Sequence, residues 1–461
     1  MKTALNRSEY TWAYVSQVAN IGTSAAGTLA MPWALGLAMY GRLSALTGLV
    51  YLSVNFFDTF FNVLAVKGVS EDRKFSVKRI FLRKLALSLL IGSLVCSYYV
   101  CSGMALRFGH ALVLSASILL LSVAFPALSF LESLLTCSHM NRTAAATRSI
   151  QGASWLLVLV SCRYGFIPVY SVILVQALTY AAVCLWLVRF RFLWLTTSPW
   201  PSAVAGDGQY IGAWILSFIP SFITWGLVEI GAAEWSDRTL ALFRLIQVGL
   251  AFAVGLFPIP SMLAFYVGNT KGQPALEKNT TALWLSGLLS AGAALFGPLF
   301  VRLLYGYYIS GDVVAIMAVS VALQGVYWIA AGQLVPKLAN ISPLRIWAAA
   351  SILVVVALSS VAMIRFGILS GALAYTGLWV AVTVGFIVLD PSCLRIRYLA
   401  APFVAGTFSY LIANQLLRIM GEPEHILGIR TLSLFLALLS CYALVVLFVV
   451  LLRRRLVARA I

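Results

Sequence analysis

Apolar runs of about 20 residues follow one another along nearly the whole chain, and most of the charge is gathered into the short stretches between them. A helix rising about 1.5 Å per residue needs a run of that length to cross the hydrocarbon layer. Inside lipid each backbone N–H and C=O must find its partner within the protein, which leaves helices as the natural spanning element. Composition agrees: of 461 residues, 62% are hydrophobic and only 10% charged. A soluble domain of that make-up would have too little polar surface to cover itself. The expected fold is therefore an all-α polytopic membrane protein.

Hydropathy and loop punctuation place about 14 transmembrane helices, at residues 11–33, 43–65, 85–105, 111–136, 149–164, 168–188, 210–230, 239–263, 281–301, 313–335, 346–364, 368–389, 399–417 and 431–452. Most of the 32 Lys and Arg residues then fall on one side: the N-terminus, the even-numbered loops (Lys67 to Lys84, Arg142 and Arg148 among them) and the Arg453–Arg459 tail. That bias predicts cytoplasmic termini and an even number of crossings. It also accounts for the net charge of +18 without nucleic acid, since no basic run is interleaved with stacking aromatics on a polar face. The first span reads as a retained helix and not as a cleaved signal peptide. No loop is long enough to fold as a soluble domain.

Short echoes recur about 200 residues apart, as expected of duplicated helical lobes. Arg163-Tyr164-Gly165 leads into the sixth span as Arg365-Phe366-Gly367 leads into the twelfth, and Arg107 with Gly109 is echoed by Arg302 with Gly306. An even number of spans between repeats preserves orientation. The expected domains are a six-helix lobe over residues 1–200, a second over 201–392, and two further helices with a basic tail over 393–461.

Several chemistries are unsupported. There is no phosphate-binding GxxxxGK[ST] loop and no HExxH, and the three histidines sit near different loops. The 14 acidic residues lack the pairing within one loop that glycosidic or phosphoryl chemistry needs. Seven scattered cysteines include no CxxC pair. The expectation is a protein that is not an enzyme, with no cofactor and no metal site.

Polar side chains inside spans are costly and so mark candidate pathways. Arg244 lies in the eighth span with Gln247 one turn on; a cation at that depth suits a phosphate or pyrophosphate headgroup, or else snorkels to the interface. Asn55, Asp58 and Asn62 share one helical stripe, facing either a cavity or a neighbouring helix. Glu132 in the fourth span and Glu229 near the end of the seventh are, with Asp58, candidate ion-coupling carboxylates, Glu229 also reading as an interfacial group. Gln17, Asn20 and Ser24 give the first span a polar face, and Arg42 opens the second span, where it could serve topology or a lipid phosphate. The candidate substrate-binding set is thus Arg244, Arg42, Gln247, Asn20 and Gln17.

Met31-Pro32-Trp33-Ala34-Leu35-Gly36 followed by Tyr40-Gly41 and Asp58, Ala241-Leu242-Phe243-Arg244-Leu245 running to Phe257-Pro258, Gly297-Pro298 through Tyr305-Gly306, and Arg365-Phe366-Gly367-Ile368 with Gly371-Ala372 resemble, in order and spacing, the polysaccharide flippases of the multidrug/oligosaccharidyl-lipid/polysaccharide exporter superfamily. The resemblance runs over roughly residues 10–390, departing where Phe60 replaces a usual glycine. It implies a V-shaped pair of six-helix bundles around a cationic cavity, working by alternating access in the bacterial inner membrane. The implied cargo is an oligosaccharide on an undecaprenyl pyrophosphate carrier, moved for cell-surface polysaccharide (O-antigen or exopolysaccharide) synthesis, with Arg244 as a headgroup contact. The implied partners are that lipid-linked oligosaccharide, membrane lipids and other glycan-assembly membrane proteins. A cation-coupled drug exporter of the same superfamily and a membrane polysaccharide polymerase are the alternatives.

Overall fold

The computed structural model describes residues 27–70, 74–102, 110–138, 140–193, 219–255, 280–307, 309–334 and 342–390, with a few isolated positions that include Ser16. The expected thirteenth and fourteenth spans lie outside them, as do Gln17 and Asn20.

The described residues form an all-α structure. In chain order the helices are α1 (27–35), α2 (Leu37–Ser70), α3 (Lys74–Cys101), α4 (Ala111–Cys137), α5 (Asn141–Arg163), α6 (Val172–Phe190), α7 (219–234), α8 (Asp237–Gly255), α9 (Thr280–Tyr305), α10 (Gly311–Leu334), α11 (Pro343–Ile364) and α12 (Ile368–Leu389). They match the first twelve expected spans one for one. Helices α2, α3, α4, α6, α11 and α12 contain stretches long and apolar enough to cross a membrane by composition alone. Shorter apolar stretches, Ser286–Arg302 and Gly311–Tyr327, lie in α9 and α10.

The starts of α3 and α5 fall furthest ahead of the hydropathy reading. Helix α3 begins at Lys74 and α5 at Asn141, so Lys84 and Arg148, counted above among loop charges, are helical and well inside their elements. Hydropathy penalises a charged helical turn as if it were loop, although Lys and Arg are good helix formers.

The chain divides into two compact units. The first comprises Met1–Leu245 with two short later segments, and the second Ile246–Phe257, Pro274–Leu334 and Ile341–Ile461. The first unit thus takes in α7 and the start of α8, beyond the residue-200 boundary drawn from hydropathy. At its centre α4 packs against α2, α3, α5 and α6. The apolar stripe of α2 (Leu43, Leu46, Val50, Val54, Phe57) joins Val95 and Tyr99 of α3, Ile118 and Leu121 of α4, and Ile173 and Ala177 of α6 in one buried cluster. The i, i+3, i+7 spacing of that stripe follows the helical period. A second cluster gathers Phe130, Leu131, Leu134 and Leu135 of α4 with Val77 of α3 and Leu187 of α6.

In the second unit α10 packs against α9 and α12, and α11 packs against α12. The other face of α11, with Trp347, Val354, Val355 and Leu358, is exposed, as suits a helix turned to lipid.

The sequence echo has a structural counterpart. Gly165 (φ +78°) and Gly367 (φ +105°) both adopt left-handed backbone at the turns after α5 and α11. There the chain reverses within a few residues, and a Cβ would be strained.

Candidate functional site

The first unit encloses a cavity of about 460 Å³, all of whose lining residues lie between Thr28 and Arg244. Its wall is built from one stripe of each surrounding helix. On α2 the stripe flanking the apolar one, about 100° round the helix, supplies Tyr40, Ser44, Thr47, Tyr51 and Asn55, again at helical spacing. Helix α4 adds Phe125, Ser129, Glu132 and Thr136, and α5 adds Arg148, Gln151 and Trp155. Gln176 and Tyr180 come from α6, Trp225 from α7 and Arg244 from α8. Hydroxyls, amides and aromatic rings dominate, with two guanidinium groups and one carboxylate.

Arg244 is 7% exposed and sits over the Trp225 ring, its guanidinium carbon 3.7 Å from the centroid. Stacking of this kind orients a guanidinium and contributes about 0.5–2 kcal/mol, more when water is excluded. Arg244 is one of the residues that line the cavity. Trp225 is placed by a π-helical turn, Phe222–Gly226, in the middle of α7. Such turns are rare and concentrate at functional sites. Gln247, one turn beyond Arg244, is buried but does not line the cavity. Arg42 lies outside it too, its guanidinium in an exposed ion pair with Asp237 at 2.6 Å.

The three candidate carboxylates differ in their partners. Asp58 is 7% exposed and 2.6 Å from the ammonium of Lys84, which is 0% exposed. Ser129 donates to Asp58 Oδ2 at 2.8 Å, and Asn62 donates to the same oxygen at 3.0 Å while accepting from Lys84 at 2.6 Å. The face of Phe130 lies 5.2 Å from the ammonium. The predicted polar stripe of α2 therefore splits: Asn55 faces the cavity, whereas Asp58 and Asn62 bind neighbouring helices behind its wall. Ser129 both lines the cavity and bonds Asp58 and Asn62.

Glu132 does line the cavity, paired with Arg148 at 3.1 Å and accepting from Gln151 at 2.9 Å. Arg148 also donates to the hydroxyl of Ser16 at 2.7 Å and to its carbonyl at 3.3 Å, tying the first span to α5. Glu229, one turn after the π-helical segment, packs against Gly48 of α2, and its Oε1 is buried without a hydrogen-bond partner among the described residues. A Cβ on Gly48 would collide with that oxygen and come within 3.5 Å of Trp225. Glycine here lets the carboxylate and the indole approach α2.

Lys84, Arg148, Trp225 and the Gln176–Tyr180 pair were missed from sequence. The first two stood beside loop charges that masked them; an acidic residue inside a neighbouring span was the available signal that a buried base was needed. Among the described residues no cluster of His, Cys, Asp and Glu could hold a metal ion.

No protein-family model matches the chain, and no curated protein matches it in sequence. Solved structures do match in fold. Lipid II flippase MurJ in an inward closed conformation superposes with a TM-score of 0.59 at 14% identity, over 98% of this chain and 100% of that one. MATE in complex with MaL6 gives 0.52 at 14% identity, over 85% and 97%. An outward-facing multidrug resistance MATE family transporter of the MOP superfamily gives 0.52 at 13% identity, over 88% and 96%. The chain has the fold of these transporters. At such identities the likeness establishes architecture and leaves the cargo to be argued from the cavity.

Proposed function

We propose that the protein is a flippase that carries a lipid-linked oligosaccharide across the bacterial inner membrane by alternating access, for assembly of a cell-surface polysaccharide. The observation that carries this reading is Arg244, a guanidinium stacked on Trp225 inside a cavity whose other charges, Glu132 and Arg148, are paired with each other and whose wall is mostly amides, hydroxyls and rings. A phosphate or diphosphate meets a delocalised cation with several donors there, and sugar hydroxyls meet neutral hydrogen-bonding groups. The polyprenyl tail stays in lipid. Transport is coupled through Glu229, whose Oε1 has no hydrogen-bond partner among the described residues, whereas Asp58 and Glu132 are held by Lys84 and Arg148.

A second reading has its own support. The rings of Trp225, Tyr51, Phe125 and Trp155 would also suit an organic cation, as a cation-coupled exporter requires. Deletion separates the two. A flippase mutant accumulates lipid-linked repeat units on the cytoplasmic leaflet, and Arg244→Gln fails to restore export at normal protein level. Drug sensitivity with normal export, or full rescue by Arg244→Gln, rejects the flippase. Arrival of unpolymerised repeat units in the periplasm would instead identify a polymerase.

A further inference from the structure

Four aromatic rings run without interruption along the cavity. Trp225 and Tyr51 lie 4.9 Å apart between centroids at 30°, Tyr51 meets Phe125 edge-on at 4.8 Å, and Phe125 lies 6.2 Å from Tyr180. Arg244 covers the Trp225 end of this ladder. At the far end Gln176 donates to the Tyr180 hydroxyl at 2.9 Å, and Asn55 stands one turn along α2 from Tyr51. The neighbouring charges, Glu132 and Arg148, neutralise each other.

We infer that Tyr51, Phe125 and Tyr180, with Gln176 and Asn55, form a sugar-ring subsite that selects an uncharged pyranose adjoining the phosphate at Arg244. The inference rests on the flippase reading and specifies what it recognises. A pyranose presents a C–H-rich face that packs on the electron-rich face of an aromatic ring. Its equatorial hydroxyls point sideways, where amides can both donate and accept. An organic cation would seek the same rings, but the Trp225 face already holds a guanidinium, which repels it. Among the described residues lining the cavity, the charges a hexuronate or an amino sugar would meet beside Tyr180, Glu132 and Arg148, are already matched. Transfer of either charge into this region goes uncompensated.

The test uses the full-length protein in detergent, with fluorescence of the cavity tryptophans as readout. The probes are a short-chain prenyl diphosphate, the same diphosphate carrying an N-acetylhexosamine, and the same carrying a hexuronic acid. The N-acetylhexosamine conjugate is expected to bind about tenfold tighter than the bare diphosphate, and the uronic acid conjugate no tighter than it. Gln176→Leu and Tyr180→Leu, neither of which removes Arg244 or Trp225, should erase that gain while the bare diphosphate binds within about twofold of wild type. Tyr180→Phe, which keeps the ring, should retain most of the gain and controls for folding. A wild-type protein with no sugar gain, an equal gain for the uronic acid, or a gain untouched by the Gln176 and Tyr180 variants overturns the subsite and leaves the flippase standing. A bare diphosphate that binds wild type and Arg244→Gln alike overturns the flippase reading itself.

Discussion

Removing one member of the Asp58–Lys84 pair should destabilise the first unit far more than removing both. Both side chains are buried, Lys84 completely and Asp58 to all but 7%, so a widowed charge recovers little hydration, and breaking a buried pair costs about 3–5 kcal/mol. The surroundings rank the two single variants. In Lys84→Met the carboxylate keeps two donors, from Ser129 and Asn62, so the loss falls near the lower bound. In Asp58→Asn the ammonium keeps the Asn62 carbonyl oxygen and the Phe130 face, and the uncompensated charge puts the loss near the upper bound. The double variant Asp58→Asn/Lys84→Met buries no net charge and should lie within about 1–2 kcal/mol of wild type, against about 8 kcal/mol for the sum of the singles, giving a coupling energy of about 6–7 kcal/mol. Unfolding in mixed micelles by titration with a denaturing detergent, followed by tryptophan fluorescence, reads all four proteins on one scale. Single variants as stable as wild type would show that the pair is not load-carrying in the membrane-embedded state. A double variant as unstable as the sum of the singles would show that the two groups act independently.

Other expectations follow from the same geometry. Gly48→Ala places a methyl group against Glu229 and Trp225 and should lower transport in a vesicle assay more than it lowers expression; full activity would show that α2 and α7 have room to separate. Asp237→Asn removes an exposed ion pair of side chains 47% and 40% accessible, so its effect on thermal stability should be below about 1 kcal/mol. Gly367→Ala forces a side chain into left-handed backbone and should cost about 1–2 kcal/mol, measurable by the same micelle titration. Glu229→Gln should preserve binding of a diphosphate probe while abolishing gradient-driven accumulation in proteoliposomes; accumulation unchanged by the substitution would remove Glu229 from the coupling step.

How far the site could be read in advance depended on where each residue stood in its helix. Arg244 was legible because it interrupts an apolar run, and the bilayer makes such an interruption expensive. Asn55, Asp58 and Asn62 were legible as a stripe by spacing alone, yet spacing could not say that Asn55 faces the cavity while Asp58 meets Lys84. Lys84 and Arg148 were hidden by their own neighbours, since a base ten residues into α3 looks, in a hydropathy window, like the end of a basic loop. Trp225 carried no signal at all. Its position over Arg244 depends on a π-helical turn, and no local pattern in Phe222–Gly226 announces one.

The all-α class, the order of the twelve helices seen among the described residues, out of about fourteen expected, and the echoed glycine turns were legible in the sequence alone, because a bilayer admits few ways to satisfy a backbone and each apolar run can be counted. Which carboxylates are neutralised, which stripe of each helix faces water, and what stands against Arg244 were decided only when helices distant in the chain packed together. Charge compensation and cavity shape arise between elements, through contacts such as that from Asp58 to Lys84 or from Glu132 to Arg148, and no property of a single helix contains them.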